Sequence, residues 1–394
     1  MTTQSTETQV ESPYGWAVVA GAFAVNAVGF GILYSFTVFF GPILKEFGGG
    51  RGGVSVIASI AAALMLGTGG IVGRLADRVG TRRMIVSGSI LVVTGLLLAS
   101  ISKQIWQVYL SYGLLLGVGV GSCFLPSNAA VGQWFSKRRG LATGIAVAGS
   151  GVGSVIIAPL SQSLIAAHDW RVAVRIIAAG GFVVLLLAAT VVKEKGSRGA
   201  TGDLSDIRRN RTFRILYVAA FVASYGYWVP FVHIVPYARD KGLSASSAAF
   251  LVSVMGVSNI IGRVVLGSVA DRFGRRRIIQ VALAAMSVSI LTWPMARSES
   301  TIVWFAAAYG FFAGTFISLL FAVTADYFGI KRLAGVTGML NTAAAFGTLI
   351  GAPASGLLFD ATGSYTLAIL IAGASMVMGT AVMLRLPPEA ATAT

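Results

Sequence analysis

Residues Ser258–Arg277 read SNIIGRVVLGSVADRFGRRR, and this stretch passes from an apolar helix into a basic loop. The apolar part contains Arg263, although helices that cross a lipid bilayer rarely carry a charge near their middle. The loop part contains the pattern Gly267-x-x-x-Asp271-Arg272. A charge inside a membrane span marks a functional site by default. The stretch therefore raises two questions: what Arg263 binds, and what the glycine–aspartate loop does.

The composition is that of a membrane protein. Of the 394 residues, 56% are hydrophobic and 11% are charged, and the mean hydropathy is +0.80. Soluble domains carry roughly 25% charged residues, so a soluble fold of this composition would lack a polar surface. The single cysteine, Cys123, excludes an internal disulfide, and we expect it to be a packing residue.

Apolar stretches of roughly 20 residues or more alternate with glycine-rich and charged segments, and each is long enough to cross a bilayer. We predict an all-α membrane protein with twelve transmembrane helices. Their centres lie near Val25, Leu64, Val92, Leu116, Val152, Val184, Val222, Val257, Ala285, Ala313, Phe346 and Met376.

The longest break between the spans divides the chain into two halves of six helices. The predicted segments are a disordered cytoplasmic tail (1–13), an N-terminal bundle (14–193), a cytoplasmic linker loop (194–212), a C-terminal bundle (213–386) and a second cytoplasmic tail (387–394). The first tail lacks a basic region followed by a cleavage site, so we do not expect a signal peptide.

The two halves repeat each other in sequence. Residues Gly73–Arg83 (GRLADRVGTRR) match Gly267–Arg277 (GSVADRFGRRR) at an offset of 194 residues. Residues Trp134–Arg138 (WFSKR) match Tyr327–Lys331 (YFGIK) at an offset of 193 residues. Two parallel six-helix repeats are the architecture of major facilitator transporters. The repeat thus predicts two pseudo-symmetric six-helix bundles, the major facilitator fold.

The distribution of basic residues predicts the orientation. Of the 30 Lys and Arg residues, 21 lie in the even-numbered loops and at the C-terminal end, eight lie in the opposite loops, and Arg263 is the remaining one. Basic loops face the cytoplasm. We therefore expect both termini to be cytoplasmic, in the cell (inner) membrane. The net charge of +16 then reflects topology, and the expected partner is the lipid bilayer rather than nucleic acid.

The glycine–aspartate loops resemble the loop signature of the major facilitator family. Glycines permit close helix approach, and aspartates pair with loop arginines and with helix N-termini. We predict that the two loops form a gate, called the loop latch, that closes the cytoplasmic side. The alternative is that they only form tight turns. The predicted loop-latch residues are Gly73, Asp77, Arg78, Gly267, Asp271 and Arg272.

Residues Trp134–Gly153 (WFSKRRGLATGIAVAGSGVG) closely resemble the helix-5 signature of the monocarboxylate transporter family. Tyr14–Trp16 is similar to that family's helix-1 start, and Val229–Tyr237 is similar to its helix 7. The resemblance covers most of the chain, which is identified as a bacterial member of that family, related to the oxalate/formate antiporters. Independently of the family, Gly149 and Gly153 predict close helix packing.

The membrane interior contains one cation and no acid. All fourteen acidic residues lie in tails, in loops or at span ends, which disfavours a cation exporter. Arg263 offers a planar fork of donors suited to a carboxylate, and Asn259 lies one turn earlier on the same face. A central arginine costs roughly 3 to more than 10 kcal/mol, which an aqueous cavity and an anionic ligand would offset. The alternative is that Arg263 snorkels, but Asp271 at the helix end lies about 12 Å away.

The family resemblance implies that Arg263 holds the substrate carboxylate. Two positions depart from the animal members: Asn259 stands in place of an aspartate, and Tyr34 stands in place of a lysine. The titratable pair that relays protons in those proteins is therefore absent. His233 is the remaining candidate for proton coupling because histidine titrates near physiological pH. A hydrogen-bonded structural role for His233 is the alternative.

Other residues are candidates for a mostly apolar pocket with a few polar groups, which suits a small organic acid. Tyr34 and Phe30 share one face of helix 1, and Trp228 matches a pocket position of the family. Simple packing is the alternative for each. The predicted substrate-binding residues are Arg263, Asn259, Tyr34, Phe30, Trp228, Met65, Asn128 and Ser318.

The predicted function is secondary active transport of a small monocarboxylate such as lactate or pyruvate, with a proton, by alternating access. One central cation suits a monocarboxylate, whereas a dicarboxylate favours a second cation. The alternatives are an organic-anion antiporter or exporter of the oxalate/formate type, and a ligand sensor that does not transport. Since the sequence has no nucleotide-binding loop and no metal-ligand cluster, we predict no enzymatic activity, no cofactor and no metal. We expect the monomer to function alone.

Overall fold

The computed structural model describes residues 12–135, 138–195, 204 and 206–388. Most of the predicted first tail, a large part of the linker at 194–212 and the end of the second tail lie outside these ranges. Lys137 of the helix-5 signature also lies outside them.

Within the described residues, twelve helices are long and apolar enough to cross a membrane, which confirms the predicted number. Each predicted span centre lies inside one of them. The spans are α1 Pro13–Phe47, α2 Gly50–Gly67, α3 Thr81–Ser100, α4 Ile105–Trp134, α5 Gly140–Ala167, α6 Trp170–Val191, α7 Arg211–Asp240, α8 Ala245–Phe273, α9 Arg275–Met295, α10 Glu299–Phe328, α11 Gly335–Thr362 and α12 Thr366–Met383.

The backbone repeats in the two glycine–aspartate loops. A short helical segment, Gly69–Val79, continues α2 beyond Thr68 and ends at Gly80. At the equivalent place in the second half, α8 ends at Gly274. Both glycines have a positive φ, 94° for Gly80 and 92° for Gly274. Only glycine adopts this conformation readily, so each of these two motif glycines allows the chain to turn directly into the next helix.

Glycines also set how closely the helices cross within the first half. A Cβ on Gly149 of α5 would collide with the backbone carbonyl of Phe23 in α1, and a Cβ on Gly153 would collide with that of Ala27. The predicted close packing at Gly149 and Gly153 is therefore confirmed. Backbone-to-backbone contact of this kind is how helices associate in a bilayer, where no hydrophobic force holds them together.

The two halves meet along three pairs of helices. In α11, Gly356 packs against the backbone of α2, where its Cβ would lie 2.6 Å from the Arg51 carbonyl oxygen. In α5, Gly151 packs against α8, where its Cβ would lie 2.6 Å from the Gly256 carbonyl oxygen. The third pair is α1 and α7, which carry much of the candidate site. Because the number of spans is even, both ends of the helical region lie on one membrane face. We call it the terminal side and the opposite face the far side.

On the far side, charged groups join the two halves. The Arg51 guanidinium donates two hydrogen bonds to the Asp240 carboxylate, at 2.6 and 2.7 Å. The Asp360 carboxylate accepts the backbone N–H groups of Arg51 and Gly52 at 2.8 and 2.9 Å, and so caps the start of α2. We call Arg51, Asp240 and Asp360 the far-side latch. The three residues hold α2 against the far-side ends of α7 and α11.

On the terminal side, the predicted loop latch is not in close contact at its glycines. A Cβ on Gly73 or Gly267 would meet no atom within 4 Å. The Asp271 carboxylate pairs with Arg275 at 3.2 Å, and Arg275 also pairs with Asp326 at 2.9 Å, all within the second half. The close approach predicted at these glycines is therefore absent from this conformation. A latch at the loops in another conformation stays a prediction.

Candidate functional site

The site is built on α8, which carries Arg263 and Asn259 one helical turn apart. This part of α8 lies close to α10 because each helix places a glycine against the backbone of the other. A Cβ on Gly262 would collide with the backbone of Phe311, and a Cβ on Gly314 would lie 2.8 Å from the Asn259 side-chain carbonyl carbon. Asn259 is only 3% exposed. Because Gly314 has no side chain, α10 leaves the space that the Asn259 amide occupies.

Arg263 and Asn259 form a pair whose outer atoms are unpartnered. The Arg263 Nε–H donates to Asn259 Oδ1 at 2.9 Å. This bond fixes the amide orientation, so Asn259 Nδ2 is the free end. Asn259 Nδ2 and Arg263 Nη1 are both buried and have no hydrogen-bond partner among the described residues. Both atoms are donors, so the pair can donate hydrogen bonds to a ligand that brings acceptor oxygens.

No acidic side chain in the described part of the chain pairs with Arg263. The described ion pairs lie elsewhere, and the Tyr34 and Tyr227 hydroxyls, which are neutral polar groups, lie near Arg263. Leaving buried donors unpaired costs about 1–3 kcal/mol for each group, and more for a charged one. An anionic ligand removes that cost, whereas a cationic ligand would increase it.

Aromatic residues of α1 and α7 form a cluster close to the Arg263–Asn259 pair. The Tyr34 ring stacks on Phe231 with ring centroids 4.4 Å apart, and it lies 5.8 Å from Trp228 and 5.5 Å from Phe30. Three predicted pocket residues, Tyr34, Phe30 and Trp228, thus fall in one cluster. The cluster joins the two halves of the protein, and Tyr34 lies within electrostatic range of Arg263.

Sequence reasoning missed three residues of this cluster, Tyr227, Phe231 and Tyr309. The Tyr309 hydroxyl donates to the Tyr227 backbone carbonyl at 2.5 Å, which joins α10 to α7. The Tyr227 hydroxyl is a neighbour of the Tyr34 hydroxyl and of Arg263, but it is buried without a hydrogen bond of normal geometry. The spacing gave a signal for Phe231 and Tyr227. Phe231 lies one turn after Tyr227, and Tyr227 is adjacent to the predicted residue Trp228.

Asn128 lies on the terminal side of the aromatic cluster and is connected to it through Phe124. Its Oδ1 accepts a hydrogen bond from Asn26 Nδ2 at 3.4 Å, and its own Nδ2 donates to the Phe124 carbonyl at 2.8 Å. The Phe124 ring packs edge-on against Phe30 at 5.1 Å, which connects Asn128 to the aromatic cluster. Asn26 was missed, although it lies one turn before Phe30 on the same face of α1.

The two remaining pocket candidates are not joined to this group. Met65 is buried in α2, where the backbone around it packs against Gly121 of α4. Ser318 lies half-buried on α10, one turn beyond Gly314. No hydrogen bond or ring contact in the described part of the chain links Met65 or Ser318 to Arg263.

His233 lies on the far-side part of α7 and is fully buried. Its Nε2 lies 2.9 Å from the Ala352 carbonyl oxygen, so Nε2 carries the proton and donates it. Its Nδ1 lies 3.0 Å from the Tyr365 hydroxyl, which donates in turn. The Ser55 hydroxyl of the other half lies 3.3 Å from Nε2. These are the contacts of a hydrogen-bonded structural histidine. Proton coupling through His233 stays a prediction.

The chain is similar in sequence to known transport proteins. The sequence profile of the Major Facilitator Superfamily matches residues 19–266 and 216–394. Monocarboxylate transporter 13 of Rattus norvegicus is 34% identical over 381 residues, which cover 95% of this chain and 89% of that protein. Monocarboxylate transporter 12 of Homo sapiens is 30% identical over 413 residues, with 94% and 80% covered.

A solved structure shares the fold. It is a bacterial homologue of the human lysosomal transporter Spinster, in an inward-facing and unoccupied conformation. The TM-score is 0.73, the sequence identity is 17%, and 95% of each chain is covered. These relatives are transporters rather than enzymes. The twelve-helix fold and the sequence similarity over nearly the whole chain lead to one conclusion: this membrane protein belongs to the major facilitator superfamily of transporters and, within it, to the monocarboxylate transporter family.

Proposed function

We propose that this transporter moves a small monocarboxylate of the lactate or pyruvate type across the cell membrane. The observation that carries the proposal is the pair of buried donors, Arg263 Nη1 and Asn259 Nδ2, which have no hydrogen-bond partner in the described part of the chain. A carboxylate has two acceptor oxygens, one for each donor, and it neutralises the guanidinium. The relatives named as monocarboxylate transporters support the same substrate class.

Substrate size and charge follow from the surroundings of the pair. One cation without an opposing acid suits a ligand with a single negative charge. The ring cluster around Tyr34, Trp228 and Phe231 offers an apolar surface for the rest of the molecule. A small organic acid with a short apolar side chain matches both features.

Transport would follow an alternating-access cycle. The basic loops support a cytoplasmic location for the terminal side. The closed far-side latch and the separated loop-latch glycines support an inward-facing state for this conformation. Arg263 lies at the seam between the halves, so a bound carboxylate would lower the cost of rocking them about the site. Opening of the far-side latch would complete the cycle.

The proposed coupling ion is the proton. The relay pair of the animal members is absent because Asn259 and Tyr34 do not titrate as aspartate and lysine do. The proton would therefore travel with the substrate or through His233. If proton symport holds, an inwardly directed pH gradient in proteoliposomes will accelerate uptake. A rate that does not respond to the gradient would exclude symport.

Exchange of organic anions is the second candidate. The observation that favours exchange is that Asn259 and Tyr34 replace the titratable pair of the animal members. Without a proton relay, the transporter returns to its starting conformation most simply by carrying a second anion in the opposite direction. Net uptake into vesicles that contain no internal anion distinguishes the candidates, because both mechanisms support counterflow. A symporter takes up the labelled acid into such vesicles when a pH gradient is imposed, whereas an obligate exchanger takes up none until an internal anion is supplied.

The test of the binding role is substitution of Arg263 in purified protein reconstituted into vesicles. Arg263→Ala removes the charge and should abolish uptake of the labelled monocarboxylate. Arg263→Lys keeps the charge but loses the fork, so uptake should fall by about 10- to 100-fold, equivalent to one or two charge-assisted hydrogen bonds. Near-normal uptake by a well-folded Arg263→Ala variant would contradict the carboxylate site.

A further inference from the structure

Helix α7 contains a gap in its backbone hydrogen bonds, and a residue of the other half fills it. Pro236 has no N–H, so the carbonyl group four residues earlier, that of Val232, loses its usual helical donor. The Thr37 hydroxyl of α1 donates to this carbonyl oxygen at 2.9 Å. Thr37 is 0% exposed and Val232 is 3% exposed, so water does not supply the missing bond.

The Thr37 hydroxyl is used in both of its hydrogen-bonding roles. Besides donating to Val232, its oxygen lies 3.3 Å from the backbone nitrogen of Val235, from which it accepts. A hydroxyl that donates to one turn and accepts from the same turn is a specific fit to a proline break, since a hydroxyl is both donor and acceptor. The contact is therefore a repair of the α7 backbone rather than general packing.

Thr37 lies within the seam that closes the far side. One turn earlier along α1, Tyr34 stacks on Phe231 of α7. One turn later, the Phe40 ring packs edge-on against His233 at 5.6 Å. Thr37 belongs to the first half and Val232 to the second, so the bond exists only while α1 and α7 are in contact.

We propose that Thr37 is a positioning residue of the far-side gate. Its hydroxyl replaces the backbone donor that Pro236 removes, and it thereby stabilises the conformation that is closed on the far side. When the halves part, water takes over both groups, and the bond no longer contributes. The inference rests on the proposed alternating-access cycle but not on the identity of the substrate.

Removing the hydroxyl therefore disfavours one state only. In Thr37→Val, the Val232 carbonyl is left buried without a donor when the gate is closed, yet it is hydrated when the gate is open. The loss of a buried hydrogen bond corresponds to about a five- to tenfold shift in the ratio of the two states toward far-side opening. Thr37→Ser keeps the hydroxyl and is the matched control.

The experiment measures far-side opening with a cysteine reporter and without substrate. Ser59 lies on α2, is 1% exposed, and follows by one turn Ser55, which touches His233 of the other half. Ser59→Cys is made in a Cys123→Ser background, which removes the single native cysteine. A membrane-impermeant thiol reagent added from the far side then labels the reporter at a rate set by gate opening.

Thr37→Val and Pro236→Ala form a double-mutant cycle, because Pro236→Ala returns a backbone N–H to the Val232 carbonyl. Thr37→Val should raise the labelling rate about five- to tenfold, and Thr37→Ser should leave it unchanged. In the Pro236→Ala background, Thr37→Val should have little further effect because the carbonyl already has its donor. An unchanged labelling rate in Thr37→Val, or an equal increase with and without Pro236, would overturn the proposal. Neither result depends on whether Arg263 binds a carboxylate, so the two proposals fail separately.

Discussion

At the scale of single residues, two side chains decide the sign of the ligand. Asn259 binds Arg263 through its oxygen and so presents its nitrogen. An aspartate at the same position, which the animal members carry, would present a second oxygen instead and, while ionised, would pair with Arg263 from within the protein. The amide therefore keeps the guanidinium available for an external anion. The amide does not titrate, whereas an aspartate carboxylate would. The substitution that favours anion binding therefore also disfavours a proton relay in α8.

Asn259→Asp tests this reasoning through pH. We expect the introduced carboxylate to pair with Arg263 and compete with the substrate, so that KM rises by about tenfold or more. Protonation removes the competing charge, and uptake by the variant should therefore recover as pH falls and decline as pH rises. Initial uptake rates between about pH 5 and 8 measure this. A variant with the same pH profile and KM as the parent protein would show that position 259 does not act on the ligand.

At the scale of elements, helix α8 is positioned by what its neighbours lack. Gly314 of α10 leaves the space for the Asn259 side chain, and Gly151 of α5 allows contact with Gly256 of α8. The glycine content of the predicted spans indicated close packing from the sequence. Which glycine faces which helix required the structure, because a period of about 3.6 residues gives the faces of one helix but not the partner of each face.

Gly314→Ala tests the contribution of this crossing. The added methyl group would collide with the Asn259 backbone oxygen and would lie 2.8 Å from its side-chain carbonyl carbon, so α8 and α10 have to move apart. Overpacking of this kind costs about 1–3 kcal/mol, and we expect a lower melting temperature together with a higher KM. Gly338→Ala is the control, because a Cβ there meets no atom within 4 Å. Equal behaviour of the two variants in thermal denaturation and uptake would show that the crossing does not position Asn259.

At the scale of the whole molecule, the two halves are held together by different means at different depths. Ring stacking joins them near Arg263, a hydroxyl bonded to backbone groups joins them at Thr37, and charged groups join them at the far-side latch. The side chain of Arg51 is 16% exposed and that of Asp240 is 34% exposed, so water screens this ion pair only partly. The Arg51 guanidinium also lies 3.7 Å from the centre of the Phe359 ring, which adds a cation–π contact.

The far-side latch makes a prediction about conformational balance. Asp240→Asn and Arg51→Ala should each increase far-side labelling of the Ser59→Cys reporter, because each breaks the paired hydrogen bonds between α2 and α7. The labelling rate of the double variant should be only slightly higher than that of the faster single variant. The difference from additivity corresponds to a coupling energy of about 1 kcal/mol between Arg51 and Asp240. Glu299→Gln changes a charge at the same membrane face on α10 and should leave labelling unchanged. Additive single effects would show that Arg51 and Asp240 act independently.

The sequence predicted the architecture more fully than the site. Twelve spans and the two-fold repeat follow from hydropathy and from the paired loop motifs, and Arg263 with Asn259 follows from the rarity of a charge in a span. Tyr34, Phe30 and Trp228 were found because they lie one turn from each other or match a family position. Met65 and Ser318 do not contact the aromatic cluster. Which residues reach the cluster depends on how each helix is rotated about its own axis, and the sequence does not give that rotation. Thr37 and Arg51 were missed because their partners, a proline-released carbonyl and the ends of α7 and α11, are distant in sequence.

The central claim is that Arg263 binds a carboxylate, and equilibrium binding to the purified transporter tests it most directly. The measurement compares a monocarboxylate with its neutral amide, for example lactate with lactamide, for the parent protein and for Arg263→Ala. If Arg263 binds a carboxylate, the parent protein binds the acid, and the neutral amide binds at least about 100-fold more weakly. We expect Arg263→Ala to bind neither compound. Equal affinity for acid and amide, or undiminished binding of the acid by Arg263→Ala, would contradict the central claim.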